Sequence, residues 1–86
     1  MEIGLHWSEQ QEVERAIIRK LGKLGPTPDW RLHYKLLYKS RITRSIPRLE
    51  RKLSKSILDE ILWELYDRNL IRYRLQGTSV KYWLRD

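Results

Sequence analysis

The sequence predicts a mainly helical domain that ends in a β-hairpin. Apolar residues recur at helical spacing over most of the chain, and from residue 71 onward they alternate with polar residues. The chain has 86 residues, which suits one modest core. We therefore expect a single domain over 1–86, with an N-terminal arm and helix in 1–26 and the core of the fold in 27–86.

The first predicted helix runs over 9–24. Ser8 and Gln11 fit a capping box at its start, and the Gly-Pro pair at 25–26 ends it. The alternation of apolar residues over 3–7 predicts a short extended arm before the helix. The apolar stripe of the helix is formed by Val13, Ala16, Ile17, Leu21 and Leu24.

A second helix is predicted to end near Lys39. Thr27 is expected as its N-cap, Pro28 as its first helical residue and Asp29 in its first turn. Trp30, His33, Tyr34 and Leu37 are predicted to pack on the core, with Leu32 and Leu36 buried on another side of a wide arc.

In the middle of the chain, the sequence predicts a short strand or extended link over 41–44 and a short helix over 45–53. A further helix is predicted over 55–68, with Asn69 as a left-handed stop. The residues of this helix that are predicted to face the core are Leu58, Ile61, Leu62 and Leu65.

The C-terminal hairpin is predicted with a type II′ turn at Gly77-Thr78. That turn pairs Leu75 with Val80 and places every apolar position of both strands on one face. The opposite face then carries Arg72, Arg74, Lys81, Trp83 and Arg85. Arg72 lies across from Trp83, where a cation–π contact is expected.

The net charge of +7 comes entirely from one third of the chain. Residues 27–55 contain two acidic and nine basic side chains, whereas the segments on either side are neutral. The nine are Arg31, Lys35, Lys39, Arg41, Arg44, Arg48, Arg51, Lys52 and Lys55. A solvated face normally mixes both signs, so this concentration favours a phosphate-binding surface over a merely solubilising one.

One stretch of the chain reads Ile46-Pro47-Arg48-Leu49-Glu50-Arg51-Lys52-Leu53-Ser54-Lys55-Ser56-Ile57-Leu58 and is continued by Leu62, Leu65 and Asn69-Leu70-Ile71. This stretch resembles a winged helix-turn-helix domain. In that family a short helix ends in leucine and serine, a recognition helix follows, and a glycine-leucine-isoleucine type of exit leads into the wing. Asn69 replaces the glycine, and the segment 81–84 resembles the last wing strand. The resemblance begins at Trp30, leaves helix 9–24 as an N-terminal extension, and is nearest to small archaeal or archaeal-virus transcription regulators.

The resemblance implies a DNA-binding transcription regulator in which residues near the start of the recognition helix read base edges. The expected contacts to DNA, from the basic segment, the helix start and the wing, are Arg44, Arg48, Arg51, Lys52, Lys55, Ser56, Arg72, Arg74 and Lys81. Helix 9–24, with its apolar stripe, is expected to pair two copies as a homodimer.

The outer side of the recognition helix argues against a model in which this whole side faces DNA, because its three carboxylates would repel a polyanion. The residues on this side are Ser56, Asp59, Glu60, Trp63 and Asp67. Two alternatives stay open: only the first turn reads bases, or Asp59, Glu60 and Trp63 form a protein interface. Packing of Trp63 against the wing or helix 9–24 is as strong an expectation as an interface role.

The sequence pattern predicts structural roles for the other aromatic residues and for the histidine on the second helix. Trp7, Trp30, Tyr34 and Tyr38 are expected to pack on the helices, not to stack on bases, and His33 to be a hydrogen-bonded core histidine.

Two isolated histidines without cysteine make no metal site, and no catalytic motif is present, so neither an enzyme, a cofactor nor a small-molecule ligand is expected. RNA is a weaker expectation than DNA. The absence of a long apolar run favours a cytoplasmic protein away from membranes.

Overall fold

A computed structural model describes residues 7–38 and 53–85, and over these ranges the protein is three helices and a three-stranded antiparallel sheet. In chain order the elements are α1 (Trp7–Leu24), β1 (Thr27–Pro28), α2 (Asp29–Tyr38), α3 (Lys55–Asp67), β2 (Ile71–Gln76) and β3 (Ser79–Leu84). The predicted arm before residue 7, the link over 41–44 and nearly all of the helix over 45–53 lie outside the described residues. The structure thus confirms a mainly helical chain with a C-terminal hairpin.

Helix α1 starts earlier than predicted, because Trp7 and Ser8 are already helical. The capping box at Ser8 is therefore wrong. The Gln10 side chain instead holds this end of the helix, since its amide donates to Glu14 at 3.1 Å and to Glu64 of α3 at 2.8 Å. This side-chain contact joins the first part of α1 to α3.

The apolar stripe of α1 belongs to the main core. Val13, Ala16, Ile17 and Leu21 are buried in one cluster with residues of α2, α3 and the sheet, as the helical spacing predicted. Helix α1 is therefore part of the hydrophobic core, together with α2, α3 and the sheet.

The N-cap predicted at Thr27 is wrong, since Thr27 and Pro28 form strand β1. Thr27 pairs with Tyr82 and Pro28 with Lys81, so the sheet has the order β1-β3-β2. The Thr27 hydroxyl donates to the Gly25 carbonyl at 2.7 Å and does not cap α2. An edge strand tolerates proline because one side of its backbone needs no ladder hydrogen bond.

Helix α2 is buried over only part of the wide arc that was predicted. Leu32, His33 and Leu36 are buried, whereas Trp30 and Tyr34 are exposed. Apolar residues occupy two sides of this helix, so periodicity alone could not choose between them, and only the side with the leucines meets α1 and β3.

Helix α3 is predicted almost to the residue. Ser54 caps its start and accepts a hydrogen bond from the Ile57 amide at 3.3 Å. Its end is a Schellman motif in which Asn69 has a φ of 61° and the Leu70 amide donates to the Leu65 carbonyl at 3.0 Å. The four residues predicted to face the core, Leu58, Ile61, Leu62 and Leu65, are all fully buried.

The hairpin has the predicted register. Leu75 pairs with Val80, and the only positive φ in the turn is at Gly77, as a type II′ turn requires. The apolar face packs on the helices through Ile71 and Tyr82, which are buried. Leu75 shares that face but is exposed, because the tip of the hairpin extends past the last helix contact.

Candidate nucleic-acid interface

The outer face of the hairpin brings together the three cations of the hairpin that were predicted to contact DNA. Arg74 lies directly across from Lys81, and Arg72 is two residues along β2 on the same face, across from Trp83. Like charges in directly opposite positions of an antiparallel pair destabilise it. The Arg74–Lys81 pair therefore does not serve the stability of the hairpin, and an external anion would relieve the repulsion.

These cations have no acidic partners within the described ranges, where neither Arg72, Arg74 nor Lys81 makes an ion pair. Two basic residues elsewhere do have acidic partners: Arg68 contacts Glu14 at 2.9 Å and Arg15 contacts Glu12 at 3.0 Å. The positive potential of the hairpin face is therefore uncompensated.

The start of α3 presents a second polar surface. Lys55 and Ser56 are exposed in the first helical turn, as the prediction for these two site residues requires. The amide groups of this turn carry the positive end of the helix dipole, which favours an approaching phosphate.

Two of the carboxylates on α3 are engaged inside the protein. An oxygen of Asp59, one of the three that argued against DNA binding, lies 2.9 Å from the His33 ring nitrogen Nε2, and Glu64 accepts from Gln10. His33 is only 6% exposed, which confirms the predicted hydrogen-bonded core histidine. Glu60 and Asp67 remain as the carboxylates of the outer side that have no partner in the described part of the chain.

Trp63 packs against the hairpin, which agrees with one of the two roles predicted for it. Its ring lies edge-on to Tyr66 at 6.0 Å and to Tyr73 of β2 at 5.1 Å, and these two tyrosines are 4.9 Å apart. We call these three residues the closed aromatic cluster. Trp63 nevertheless keeps 46% of its surface exposed.

Tyr82 is a buried residue of β3, and two acidic residues act electrostatically on its hydroxyl. Burial first, and then the negative charges of Asp59, Asp29 and ionised Tyr73, raise the pKa of Tyr82 from 10.0 to about 12. Its hydroxyl is therefore neutral at physiological pH and is a core group, not an acid–base group.

A feature that the sequence analysis missed lies on α2. Trp30, Tyr34 and Tyr38 are 65%, 47% and 71% exposed, so the prediction that they pack on the core is wrong. The same holds for Trp7, which is also highly exposed. We call Trp30, Tyr34 and Tyr38 the open aromatic stripe, and their repeat of four residues was the sequence signal for a shared face.

The remaining predicted DNA contacts, Arg44, Arg48, Arg51 and Lys52, lie outside the described residues. Among the residues that the structure does describe, no three histidine, cysteine or acidic side chains come together as metal ligands. None of the described helices is long and apolar enough to cross a membrane.

Searches of protein families, of curated proteins and of solved structures found no match to this chain. The fold itself supplies the class: a small, mainly helical domain with a three-stranded antiparallel sheet.

Proposed function

We propose that this protein is a winged-helix domain that binds duplex DNA, and that it acts as a transcription regulator. The observation that carries the proposal is the uncompensated cationic face of the hairpin, where Arg72, Arg74 and Lys81 meet without an acidic partner in the described ranges. Such a face tracks phosphates, which provide affinity and register without reading sequence.

The start of α3 supplies the sequence-reading part of the proposal. Lys55 and Ser56 are exposed there and precede the acidic outer side, so the first turn enters a groove while Glu60 and Asp67 stay clear of the phosphates. The basic residues expected from the winged-helix resemblance, Arg44, Arg48, Arg51 and Lys52, would add backbone contacts.

The rival proposal is a protein interface made by Asp59, Glu60 and Trp63. It is weaker than DNA binding because Asp59 already pairs with His33 and Trp63 already packs on Tyr73. The proposed dimer through helix 9–24 also loses its main support, since the apolar stripe of that helix packs inside its own chain.

The test is fluorescence anisotropy on a random-sequence duplex across a salt series. The variant combines Arg72→Ala, Arg74→Ala and Lys81→Ala. The matched control combines Arg15→Ala, Arg19→Ala and Lys23→Ala, which removes the same charge from the exposed side of α1.

We expect the wild-type protein to bind with micromolar affinity that weakens steeply with salt. The hairpin variant should lose most of this affinity, and its salt slope should fall by about 0.9 for each lost phosphate contact. Equal binding by the hairpin variant and the α1 control would refute the hairpin as the interface. Failure of the wild type to bind at low salt would refute DNA binding.

A further inference from the structure

The open aromatic stripe borders a groove between α2 and the start of α3. The groove has a volume of about 410 Å³ and is lined by Trp30, Tyr34, Leu37, Tyr38 and Lys55. The rings of Tyr34 and Tyr38 have centroids 5.6 Å apart and are tilted by 48°. The volume is within the range of pockets that take small organic groups. Three of the five lining residues are aromatic.

The surroundings of this groove are cationic. Lys55 is part of its wall, and Arg31 and Lys35 lie beside Tyr34 and Tyr38 on the solvent side of α2. None of these three cations makes an ion pair in the described part of the chain. The nearby Asp29 accepts from the Trp30 amide at 2.8 Å, so its charge is partly used by the helix start.

Flat aromatic faces next to uncompensated cations match the chemistry of an unpaired nucleic-acid strand. Bases stack on aromatic rings whatever their sequence, and phosphates follow the positive charges. The stripe from Trp30 to Tyr38 advances eight positions along α2, or about 12 Å at the rise of an α-helix. This length accommodates more than one base, since stacked bases are about 3.4 Å apart along a strand.

We infer that this groove binds the bases of a single-stranded nucleic acid. The site shares Lys55 with the proposed duplex interface. It differs from that interface in its aromatic rings, which come from α2, whereas the main duplex contacts come from the hairpin. An apolar peptide or a second copy of the chain would also cover the rings, but neither would need the three surrounding cations.

The test measures binding of a fluorescent oligothymidine of twelve nucleotides and of an abasic strand of the same length. The variants are Trp30→Ala and Tyr38→Ala, whose side chains are largely exposed and whose loss leaves the core intact. The matched control is Trp7→Ala, a similarly exposed tryptophan outside the groove. The hairpin triple variant is measured in parallel on both single-stranded and duplex DNA.

We expect each groove variant to weaken oligothymidine binding about tenfold, whereas Trp7→Ala leaves it unchanged. The abasic strand should bind at least tenfold more weakly than oligothymidine, and the groove variants should not weaken it further. Duplex binding should respond to the hairpin variant and not to the groove variants. Single-strand binding by the groove would stand even if duplex binding failed.

The inference is overturned if Trp30→Ala and Tyr38→Ala bind oligothymidine as the wild type does, or if the abasic strand binds equally well. A change in oligomeric state on light scattering, with single-strand binding unchanged, would assign the groove to a contact between two copies and would also overturn it.

Discussion

The two aromatic groups of this protein have similar composition but differ in what their rings contact. The closed aromatic cluster joins Trp63 and Tyr66 of α3 to Tyr73 of β2, with all three ring pairs within 6.0 Å. The open aromatic stripe places Trp30, Tyr34 and Tyr38 along one face of α2 with only Tyr34 and Tyr38 in ring contact. One group packs within the chain, and the other lines a surface groove.

The difference follows from what each helix faces. The strand β2 crosses the aromatic side of α3 and supplies Tyr73, whereas the described sheet and helices meet α2 on its leucine side. Aromatic residues at helical spacing are thus equally compatible with packing and with binding. The element that lies opposite decides between them.

The largest effect is expected from opening the closed cluster. Tyr73→Ala should lower the free energy of unfolding by about 2 kcal/mol, because it removes a half-buried ring that contacts both Trp63 and Tyr66. Chemical denaturation monitored by circular dichroism measures the change. Tyr73→Phe keeps the ring and should stay within about 0.5 kcal/mol of the wild type. A loss for Tyr73→Ala no larger than that would mean that the cluster is not packed.

The hydrogen bond between His33 and Asp59 joins the two helices that carry the aromatic groups. Asp59→Ala should cost about 1–2 kcal/mol, because it leaves a buried imidazole nitrogen without its partner. The control is Glu60→Ala, which removes the neighbouring carboxylate and should change stability by less than about 0.5 kcal/mol. If both variants unfold at the same denaturant concentration, the two helices are not held together at this point.

The free energy of unfolding should also fall in alkali because of Tyr82, a buried residue of β3. Its pKa is about 12 in the folded protein against 10.0 for the free side chain. Because the folded value is the higher one, the stabilisation is complete below pH 10 and is lost as the pH rises towards 12. Each pKa unit corresponds to about 1.4 kcal/mol, and partial solvent screening reduces the total to about 1–2 kcal/mol.

The measurement is the free energy of unfolding of wild type and Tyr82→Phe across that pH range. The variant should match the wild type near neutrality and lose less stability above pH 10, while lysines and the other tyrosines contribute equally to both. Parallel curves for the two proteins would show that Tyr82 is not buried beside acidic residues.

The smallest effect on stability is expected in the open stripe. Trp30→Ala and Tyr38→Ala should each change the free energy of unfolding by less than about 0.5 kcal/mol, because most of each side chain is already in water. Thermal unfolding checks this. A loss comparable to that of Tyr73→Ala would place these rings in a packed interface and erase the contrast between the two groups.

The C-terminal half of the fold could be predicted well because its signals are local. The period of two in the strands, the turn at Gly77 and the apolar spacing of α3 each depend on residues close in sequence. The hairpin register is enough to bring Arg72, Arg74 and Lys81 to one face. His33 was also predicted correctly as a core histidine, although its partner Asp59 could not be, because 26 residues separate them.

The errors all lie where a distant element takes part. Thr27 and Pro28 carry the residues of a helix start, yet they pair with β3, which follows them by about fifty positions. Ser8 has the sequence pattern of an N-cap, yet it lies inside α1, whose first part is joined to α3 by the hydrogen bond from Gln10 to Glu64. The buried arc predicted for α2 was too wide, because the described elements cover the leucine side of the helix and leave Trp30 and Tyr34 exposed.

The sequence by itself determined the helical class, the hairpin with its register, the boundaries of α3 and the cationic face of the hairpin. These depend on periodicity, turn conformation and capping, which act over a few residues. Only the tertiary structure decided that α1 completes the core, that β1 joins the sheet and that one aromatic group is closed while the other is open. A side chain is buried only when another element covers it, and the spacing of residues along one helix does not contain that information.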